Sequence, residues 1–388
     1  MHPGGVPASQ PCLAERKTIC QRPIHMRRRP SKSRDKRVTT TSVDLFCGAG
    51  GLTRGLLNAG IPVAAGYDVD AACEFPYEHN NPGAKFQKVS VTDLNGEQLA
   101  GHYPEGHTRI LVGCAPCQTF SKYTQGLKNA HDPKWELLDE FARLVRELQP
   151  DIVSMENVPE LQRHSIFDRF LATLADEGFH FTEDRERQVV YCPDYGIPQH
   201  RRRLVLIASR LGPIDLIVPT HPPARHRKVR DALSRLAPLA AGDVSPDDPL
   251  HRTSELSPLN LRRIRHSQPG GTRRDWPRNL VAKCHQKKTG KTYPGVYGRM
   301  EWDQPSPTIT TQFFGFGNGR FGHPEQDRAI SLREGAILQS FPTDYQFVKP
   351  LEKYALKLKR GHRPSHRLCL GRRSTQALIT KSDAVFHL

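Results

Sequence analysis

The sequence predicts an α/β fold in which a parallel, doubly wound sheet is followed by a smaller, loop-rich domain. Short apolar segments alternate with amphipathic ones between residues 42 and 208, as strands connected by helices do. A glycine-rich turn follows the first strand, and beyond residue 210 the alternation gives way to segments rich in Pro, Gly, Arg and His.

Each predicted strand is a short apolar run, and each predicted helix ends near a Gly or a Pro. The predicted strands are residues 42–46, 61–67, 109–113, 151–155 and 204–208, with a further short strand ending at Asp93. The predicted helices are residues 52–59, 137–148, 166–175 and 329–340, and Ser331 is the expected N-cap of the last one.

The composition excludes a membrane bundle and a disulfide-stabilised scaffold. The chain has 388 residues, of which 37% are hydrophobic, and no run of about 18 apolar residues occurs. Nine cysteines are too few for a disulfide framework in a chain of this length, and no signal-peptide core is visible. We therefore expect a cytoplasmic protein with no membrane partner.

The net charge of +17 is unevenly distributed. Residues 41–198 hold 13 basic and 23 acidic side chains, whereas residues 199–300 hold 21 basic and 7 acidic ones. This division is typical of a catalytic domain joined to a domain that binds a polyanion, although a basic segment can also be an ordinary solvated surface. Residues 1–40, with 10 basic and 2 acidic side chains, are interpreted as a disordered basic arm.

The first motif with chemical meaning is the turn Asp44-Leu45-Phe46-Cys47-Gly48-Ala49-Gly50-Gly51. Glycines after a strand let the backbone approach a ligand, and the N-terminus of the next helix favours negative groups; a purely structural turn is the alternative. Asp68 lies 20 residues beyond Gly48, at the end of the second strand, where an acid holds the ribose hydroxyls of a nucleoside cofactor. Asp93 could meet an adenine amino group or cap a loop.

Cys117, in Pro116-Cys117-Gln118, follows a predicted strand and is a candidate nucleophile. An ordinary thiol is only a few per cent thiolate at pH 7, and a helix N-terminus or cationic neighbours raise that fraction. Cys114 and Cys117 form a Cys-x-x-Cys pair that could instead serve redox or metal chemistry, or be inert. No second Cys-x-x-Cys occurs, and a zinc site would need more ligands.

Two further motifs place polar side chains at strand ends. Glu156, in a Glu-Asn-Val triplet, could donate a proton or anchor a hydrogen bond near a thiolate, or be a surface residue. In the segment Gln199 to Arg203, alternate residues of an extended chain share a face. Gln199, Arg201 and Arg203 would then point together, which suits a phosphate or a polarised carbonyl; an exposed basic strand start is the alternative.

These four motifs, in this order and at these strand ends, resemble those of cytosine-C5 DNA methyltransferases of the bacterial restriction-modification type. The resemblance covers roughly residues 42–348, and the segment from Arg328 to Phe341, with Pro342 and Tyr345 after it, resembles the part that follows target recognition in the family. It implies a Rossmann-like sheet that binds S-adenosylmethionine (SAM), a smaller target-recognition domain, and no metal.

The resemblance also implies roles for single residues. Cys117 would add to C6 of a flipped-out cytosine, and Glu156 would hold or protonate N3. Arg201 would contact the base carbonyl or support the site, Arg203 would help order it, and Gln199 belongs to the same motif. The implied cofactor contacts are Phe46, Gly48, Ala49, Gly50, Gly51, Leu52, Asp68, Asp93, Pro116 and Leu137. Thr308 and Ile309 resemble a Thr-plus-aliphatic pair of target-recognition domains and are candidates for DNA contact.

The predicted organisation has five segments. They are a basic arm at 1–40, a SAM-binding catalytic domain at 41–210, a target-recognition domain at 211–327, a helix returning to the catalytic domain at 328–348, and an atypical basic tail at 349–388. The Gly-Asn-x-Val-Pro-like motif that ends the family is not found after Phe347 or in the arm. We expect the tail to come from a shifted reading frame or from degeneration, and Met26 is an alternative start to Met1.

The predicted function is methylation of a cytosine within a specific duplex DNA site, which protects that site from a cognate restriction enzyme. We expect a monomer associated with the nucleoid. The alternatives are a transfer-RNA cytosine methyltransferase, which shares these motifs, and a catalytically impaired DNA-binding relic. The sizeable basic region favours DNA, and the imperfect glycine pattern disfavours a nicotinamide dehydrogenase.

Overall fold

A computed structural model of the chain describes residues 39–116, 136–287 and 294–347. The strands are β1 Thr40–Leu45, β2 Val63–Tyr67, β3 Lys85–Gln87, β4 Thr108–Gly113, β5 Ile152–Asn157, β6 Val189–Tyr191 and β7 Arg202–Ser209. The helices are α1 Gly51–Asn58, α2 Glu74–Asn80, α3 Gly96–Ala100, α4 Glu136–Leu148, α5 Ser165–Asp176, α6 Val229–Leu233, α7 Pro258–Arg265, α8 Lys283–Gln286 and α9 Leu332–Leu338. None of the helices in these ranges is long and apolar enough to cross a membrane.

The strands form a seven-stranded sheet in the order β3-β2-β1-β4-β5-β7-β6, and β1 to β5 pair in parallel. Leu45 of β1 pairs with Tyr67 of β2 and with Gly113 of β4. Gly113 also pairs with Met155 of β5. The carboxyl ends of these four strands therefore meet along one side of the sheet, called here the carboxyl edge, where α/β proteins bind their ligands.

The expectation of a parallel sheet is right for β1 to β5 and wrong for β7, which runs antiparallel to both β5 and β6. Residues 192–201 connect β6 to β7, and this connection is too short for the crossover that a parallel pair needs. β6 is only three residues long and was not predicted, so the apolar pattern did not reveal that the chain reverses direction between β6 and β7. In the observed register Glu156 pairs with Val205, which places the start of β7 at the carboxyl edge.

The long helices agree with the prediction to within a residue or two, because their apolar spacing is regular. α1 begins after Gly50 and is followed by Gly60, both with left-handed backbone conformations, and α4 ends before Gln149 and Pro150. α4 buries Leu138, Phe141, Ala142, Leu144, Val145 and Leu148, which are spaced as one helix face requires. The short elements α2, α3 and β6 were not predicted, since few residues leave little periodicity to detect, and the short strand predicted to end at Asp93 is misplaced because β3 ends at Gln87.

The sheet is covered on its two faces by separate apolar clusters. One contains α4 and α5 side chains, and the other contains side chains of α1 and Tyr77 of α2. Tyr77 is fully buried and packs directly on β2, where a Cβ on Gly66 would lie 2.3 Å from the Tyr77 hydroxyl oxygen. The glycine at this position is therefore required by the close approach of an aromatic ring.

Residues 211–327 contain short helices and isolated bridges, in agreement with the loop-rich prediction, while the predicted domain boundaries stay predictions. A third apolar cluster joins α6, α9 and residues 300–347, and it reaches the glycine-rich turn through Ala49. α9 is shorter than the predicted helix at 329–340. Its N-cap is Ser331, as predicted: the Ser331 hydroxyl accepts the Glu334 N–H, and the Glu334 carboxylate accepts the Ser331 N–H.

Candidate active site

The glycine-rich turn lies at the carboxyl edge between β1 and α1. Phe46, Gly48 and Gly50 have φ angles of 59°, 54° and 82°, and the Gly50 N–H donates to the Cys47 carbonyl at 3.0 Å. Glycine adopts such left-handed conformations at little cost, whereas Phe46 is strained. Strained backbone of this kind concentrates at functional sites, which supports a ligand-binding role for the turn.

Asp68 directly follows β2, and its carboxylate is bonded to the turn. One oxygen accepts the Gly48 N–H at 2.9 Å and the other accepts the Asp70 N–H at 3.1 Å. The side chain is buried, with 7% of its surface exposed. The spacing noticed in the sequence thus corresponds to direct contact between the acid and the glycine turn. A carboxylate accepts several hydrogen bonds at once, so this contact is compatible with ribose hydroxyls as further donors.

The other predicted cofactor residues differ in their burial and in the elements to which they belong. Asp93 is exposed in the 3-10 turn Val91–Asp93 and does not end a strand, because β3 stops at Gln87. Leu52 is buried in α1, whereas Pro116 and Leu137 are half-buried, after β4 and in the first turn of α4 respectively. Cofactor contact stays a prediction for all of these residues.

Cys117 and Gln118 lie outside the described residues, but the chain that leads to them is held in place. The Cys114 N–H donates to the Leu45 carbonyl at 3.4 Å. The Asn157 side-chain amide donates to the Ala115 carbonyl at 3.2 Å. Asn157 was noticed in the sequence only as the neighbour of Glu156, and its position at a strand end was the available signal for this tethering function.

Glu156 and Arg203 form an ion pair at the carboxyl edge. Arg203 Nε lies 2.8 Å from Glu156 Oε1, and their side chains are only 13% and 9% exposed. Glu156 belongs to β5, one residue beyond the predicted strand, and Arg203 belongs to the start of the antiparallel β7. The structure therefore brings together two residues that the sequence motifs identified separately.

Gln199 is buried and connects three segments. Its amide nitrogen donates to the Leu338 carbonyl of α9 at 3.2 Å, and its oxygen accepts from the Ile309 N–H and from Arg201, both at 3.4 Å. Thr308 is exposed, and its hydroxyl donates to the His200 carbonyl at 2.6 Å. The Thr308–Ile309 pair thus runs beside the arginine motif, with the Ile309 side chain buried.

A second cysteine, Cys192, lies in the electrostatic field of this ion pair. Burial raises the pKa of the Cys192 thiol to about 12, with the Glu156 carboxylate acting in the same direction and the Arg203 guanidinium opposing both. Cys192 is therefore a neutral, unreactive thiol at physiological pH.

The fold and the site define an α/β enzyme of the nucleoside-cofactor class, with an acid on the glycine turn and a carboxylate–guanidinium pair beside it. The chain belongs to the C-5 cytosine-specific DNA methylase family, whose model matches residues 40–357. The match begins at β1 and extends past residue 348, where the atypical tail was expected to begin.

Relatives of known identity agree with this assignment. The chain is 53% identical over 308 residues to the type II methylase M.HgiDII of Herpetosiphon aurantiacus, which covers 79% of this chain and 85% of the relative. It is 29% identical over 313 residues to M1.HphI of Haemophilus parahaemolyticus, with 80% of each chain covered.

Solved structures show the same fold. One is a prophage-encoded E. coli protein described as a DNA modification methyltransferase, with a TM-score of 0.64 and 21% identity over 88% of this chain and 98% of that one. Another is the Dnmt2 methyltransferase of S. pombe, with a TM-score of 0.54 and 14% identity over 88% and 96% of the two chains.

Family membership confirms the resemblance, the Rossmann-like methyltransferase fold and the activity predicted from the motifs. The protein is a DNA cytosine-C5 methyltransferase, and this membership implies that it uses SAM as methyl donor.

Proposed function

We propose that the carboxyl edge methylates a cytosine extruded from duplex DNA, with Cys117 as the nucleophile and Glu156 as the group that holds N3. The observation that carries this proposal is the Glu156–Arg203 pair, which adjoins the tether from Asn157 to the chain leading to Cys117. A cytosine inside a stacked duplex cannot reach these groups, so the base has to flip out at a cost of a few kcal/mol.

The mechanism overcomes the poor nucleophilicity of cytosine C5. The Cys117 thiolate adds to C6, and the ring electrons move toward C5 as the S–C6 bond forms. Glu156, which lies beside Arg203, takes up a proton from solvent and donates it to N3, so that the charge developing on the ring is stabilised. SAM supplies the methyl group that C5 takes up. Loss of the C5 proton to a base and departure of the Cys117 thiolate from C6 restore the aromatic ring.

We assign the SAM site to the glycine-rich turn and Asp68. The left-handed glycines bring the backbone close to a ligand, and the Asp68 carboxylate, bonded to Gly48, is an acceptor suited to ribose hydroxyls. Pro116 and Leu137 provide apolar surface at the ends of the neighbouring elements. These residues fit the cofactor that the family uses.

We propose duplex DNA contact by exposed basic side chains of the region 211–327. Some of the basic side chains in this region bind other parts of the protein. Arg299 is buried and pairs with Asp327 at 2.5 Å, and Arg263 donates to the Leu280 carbonyl. The basic side chains exposed around α7 and α8 include Arg262, Arg274, Arg278, Lys283 and Lys287. Such groups position a protein on phosphates and make its affinity strongly salt-dependent.

The type II names of the relatives support a role in restriction and modification. We propose that the chain methylates one specific site of chromosomal DNA in the nucleoid and thereby protects it from a cognate endonuclease encoded nearby. A single chain carries all the proposed catalytic residues, so a monomer suffices. Bisulfite sequencing of DNA from cells that express the chain should show one methylated sequence.

The decisive experiment is a covalent trap. Full-length chain incubated with SAM and duplex DNA substituted with 5-fluorocytosine should form a denaturation-resistant adduct, because fluorine cannot leave C5 as a proton does. Cys117→Ala should form none. The matched control Cys192→Ala should form as much adduct as the wild type, because that thiol is not ionised.

Adduct formation by Cys117→Ala, or equal loss in both cysteine variants, would overturn the assignment of the nucleophile. Methyl transfer to transfer RNA with none to duplex DNA would overturn the choice of substrate. Absence of any adduct with the wild-type chain would indicate a catalytically inactive DNA-binding protein.

A further inference from the structure

Tyr345, which follows α9, lies against the glycine-rich turn 296 residues earlier in the chain. Its hydroxyl donates to the Ala49 carbonyl at 2.5 Å and accepts from the Asn81 side-chain amide at 3.3 Å. The side chain is fully buried, so water does not compete for these bonds.

This contact acts on the peptide unit that gives the turn its shape. A carbonyl fixed by a short hydrogen bond restricts rotation of its peptide plane, here the plane between Ala49 and the left-handed Gly50. A Cβ on Gly50 would lie 2.4 Å from the Asn81 amide nitrogen and 3.1 Å from the Tyr345 hydroxyl. The glycine therefore also provides the room that lets Asn81 and Tyr345 reach the turn.

Tyr345 is itself held from several directions. Arg333 of α9 donates to the Tyr345 carbonyl at 2.9 Å, and the Tyr345 ring packs on Phe341 with centroids 4.9 Å apart. Asn80, at the end of α2, bonds both the N–H and the carbonyl of Gln346 at 2.8 Å. These contacts fix the position of the Tyr345 hydroxyl beside the turn. A small shift of the chain around Tyr345 therefore cannot replace the hydrogen bond when the hydroxyl is removed.

We propose that Tyr345 is a positioning residue for the cofactor-binding turn: its hydroxyl keeps the turn in the shape that binds SAM. This inference rests on the assignment of SAM to the turn. Because Tyr345 acts on the turn and not on the Glu156–Arg203 pair, it controls cofactor affinity and not the chemistry at the cytosine.

The test compares two tyrosine-to-phenylalanine variants of the full-length chain. Tyr345→Phe removes the hydroxyl and keeps the ring. Tyr103→Phe is the matched control, because Tyr103 is also buried and its hydroxyl also donates to a backbone carbonyl, that of Ile110 at 2.9 Å, away from the turn. Both variants should lower the thermal midpoint, Tyr345→Phe by the larger amount, because the Tyr345 hydroxyl makes buried hydrogen bonds to Ala49 and Asn81 and the Tyr103 hydroxyl makes one to Ile110.

Calorimetric titration with S-adenosylhomocysteine should separate the two variants. Tyr345→Phe should bind it about fivefold more weakly, as expected for one hydrogen bond, and Tyr103→Phe should bind it like the wild type. The KM for SAM should rise by the same factor in Tyr345→Phe, while kcat at saturating SAM stays unchanged. Hydrogen exchange on the wild-type chain should show residues 341–347 protected when S-adenosylhomocysteine binds, because coupling between two sites is reciprocal.

Unchanged affinity in Tyr345→Phe, or the same loss of affinity in Tyr103→Phe, would show that Tyr345 contributes only to stability. Unprotected residues 341–347 in the liganded wild-type chain would overturn the coupling even if the variant failed to fold. A wild-type chain that does not bind S-adenosylhomocysteine would instead overturn the assignment of the cofactor itself.

Discussion

At the scale of single residues, the Glu156–Arg203 pair explains how a carboxylate can be kept in a nearly buried site. Burying an isolated charge is costly, and a paired cation offsets that cost when the geometry is good. Arg203 supplies that cation, with its Nε 2.8 Å from Glu156 Oε1. The pair therefore gives a stable site for the carboxylate proposed to meet N3 of the base.

Replacing Glu156 with Gln should lower kcat by about 100-fold, because an amide can form a hydrogen bond with N3 but cannot transfer a proton. Methyl transfer from labelled SAM to duplex DNA measures this. Glu160→Gln, in the 3-10 helix that follows β5, is the matched control and should keep wild-type activity. A Glu156→Gln variant with unchanged kcat would contradict the proposed role.

At the scale of elements, α9 connects the catalytic and cofactor parts of the site. The Leu338 carbonyl at its end accepts from Gln199, and Arg333 within it supports Tyr345. α9 is anchored by a bidentate pair in which two Arg328 nitrogens lie 2.7 Å from the two Glu334 oxygens, with both side chains buried. Burial alone would raise the pKa of Glu334, but the Arg328 guanidinium outweighs it and holds that pKa below its usual value.

Replacing Arg328 with Met should reduce the free energy of unfolding by about 3–5 kcal/mol, because a buried carboxylate loses its cation. Adding Glu334→Gln to that variant should restore part of the loss, since Gln removes the charge and keeps an acceptor for the Ser331 N–H. Urea unfolding of the single and double variants measures both effects. A double variant less stable than Arg328→Met would show that the charge is not the cause.

At the scale of the whole molecule, stability should depend on pH through a buried histidine. Burial lowers the pKa of His323 to about 4. Its Nδ1 accepts the backbone N–H groups of Glu325 and Gln326, which a neutral ring can do and a protonated one cannot. The unfolded chain, with a histidine pKa of about 6.5, therefore binds a proton in a range where the folded chain does not.

Stability should consequently rise with pH between about 4 and 6.5, and His323 should account for about 2 kcal/mol of the loss between pH 7 and pH 5. His323→Asn keeps an acceptor near the Nδ1 position and removes the titration, so its stability should fall less over the same range. Chemical unfolding of both chains at several pH values tests this. Equal pH dependence in the two chains would exclude His323 as the cause.

Local patterns in the sequence were sufficient to predict the glycine-rich turn, Asp68 and Glu156 as parts of the site. The apolar run of β1, the glycines and the spacing to Asp68 predicted a turn and an acid that are bonded to each other in the structure. Glu156 was likewise found from its position at a strand end. These features depend on residues close in sequence or on regular strand ends, which periodicity and turn chemistry reveal.

The positions of Arg203 and Tyr345 in the site depend on contacts between segments that are distant in the sequence. Arg203 reaches the carboxyl edge beside Glu156 because β7 is antiparallel to β5. The apolar pattern of a strand does not reveal whether it pairs parallel or antiparallel with its neighbours. The hydrogen bond from Tyr345 to Ala49 joins residues 296 apart, and neither a tyrosine nor an alanine predicts such a contact from the sequence. By itself the sequence determined the chemical groups and the order of the longer strands and helices. Only the tertiary structure decided which groups meet, because pairing and packing depend on the whole chain at once.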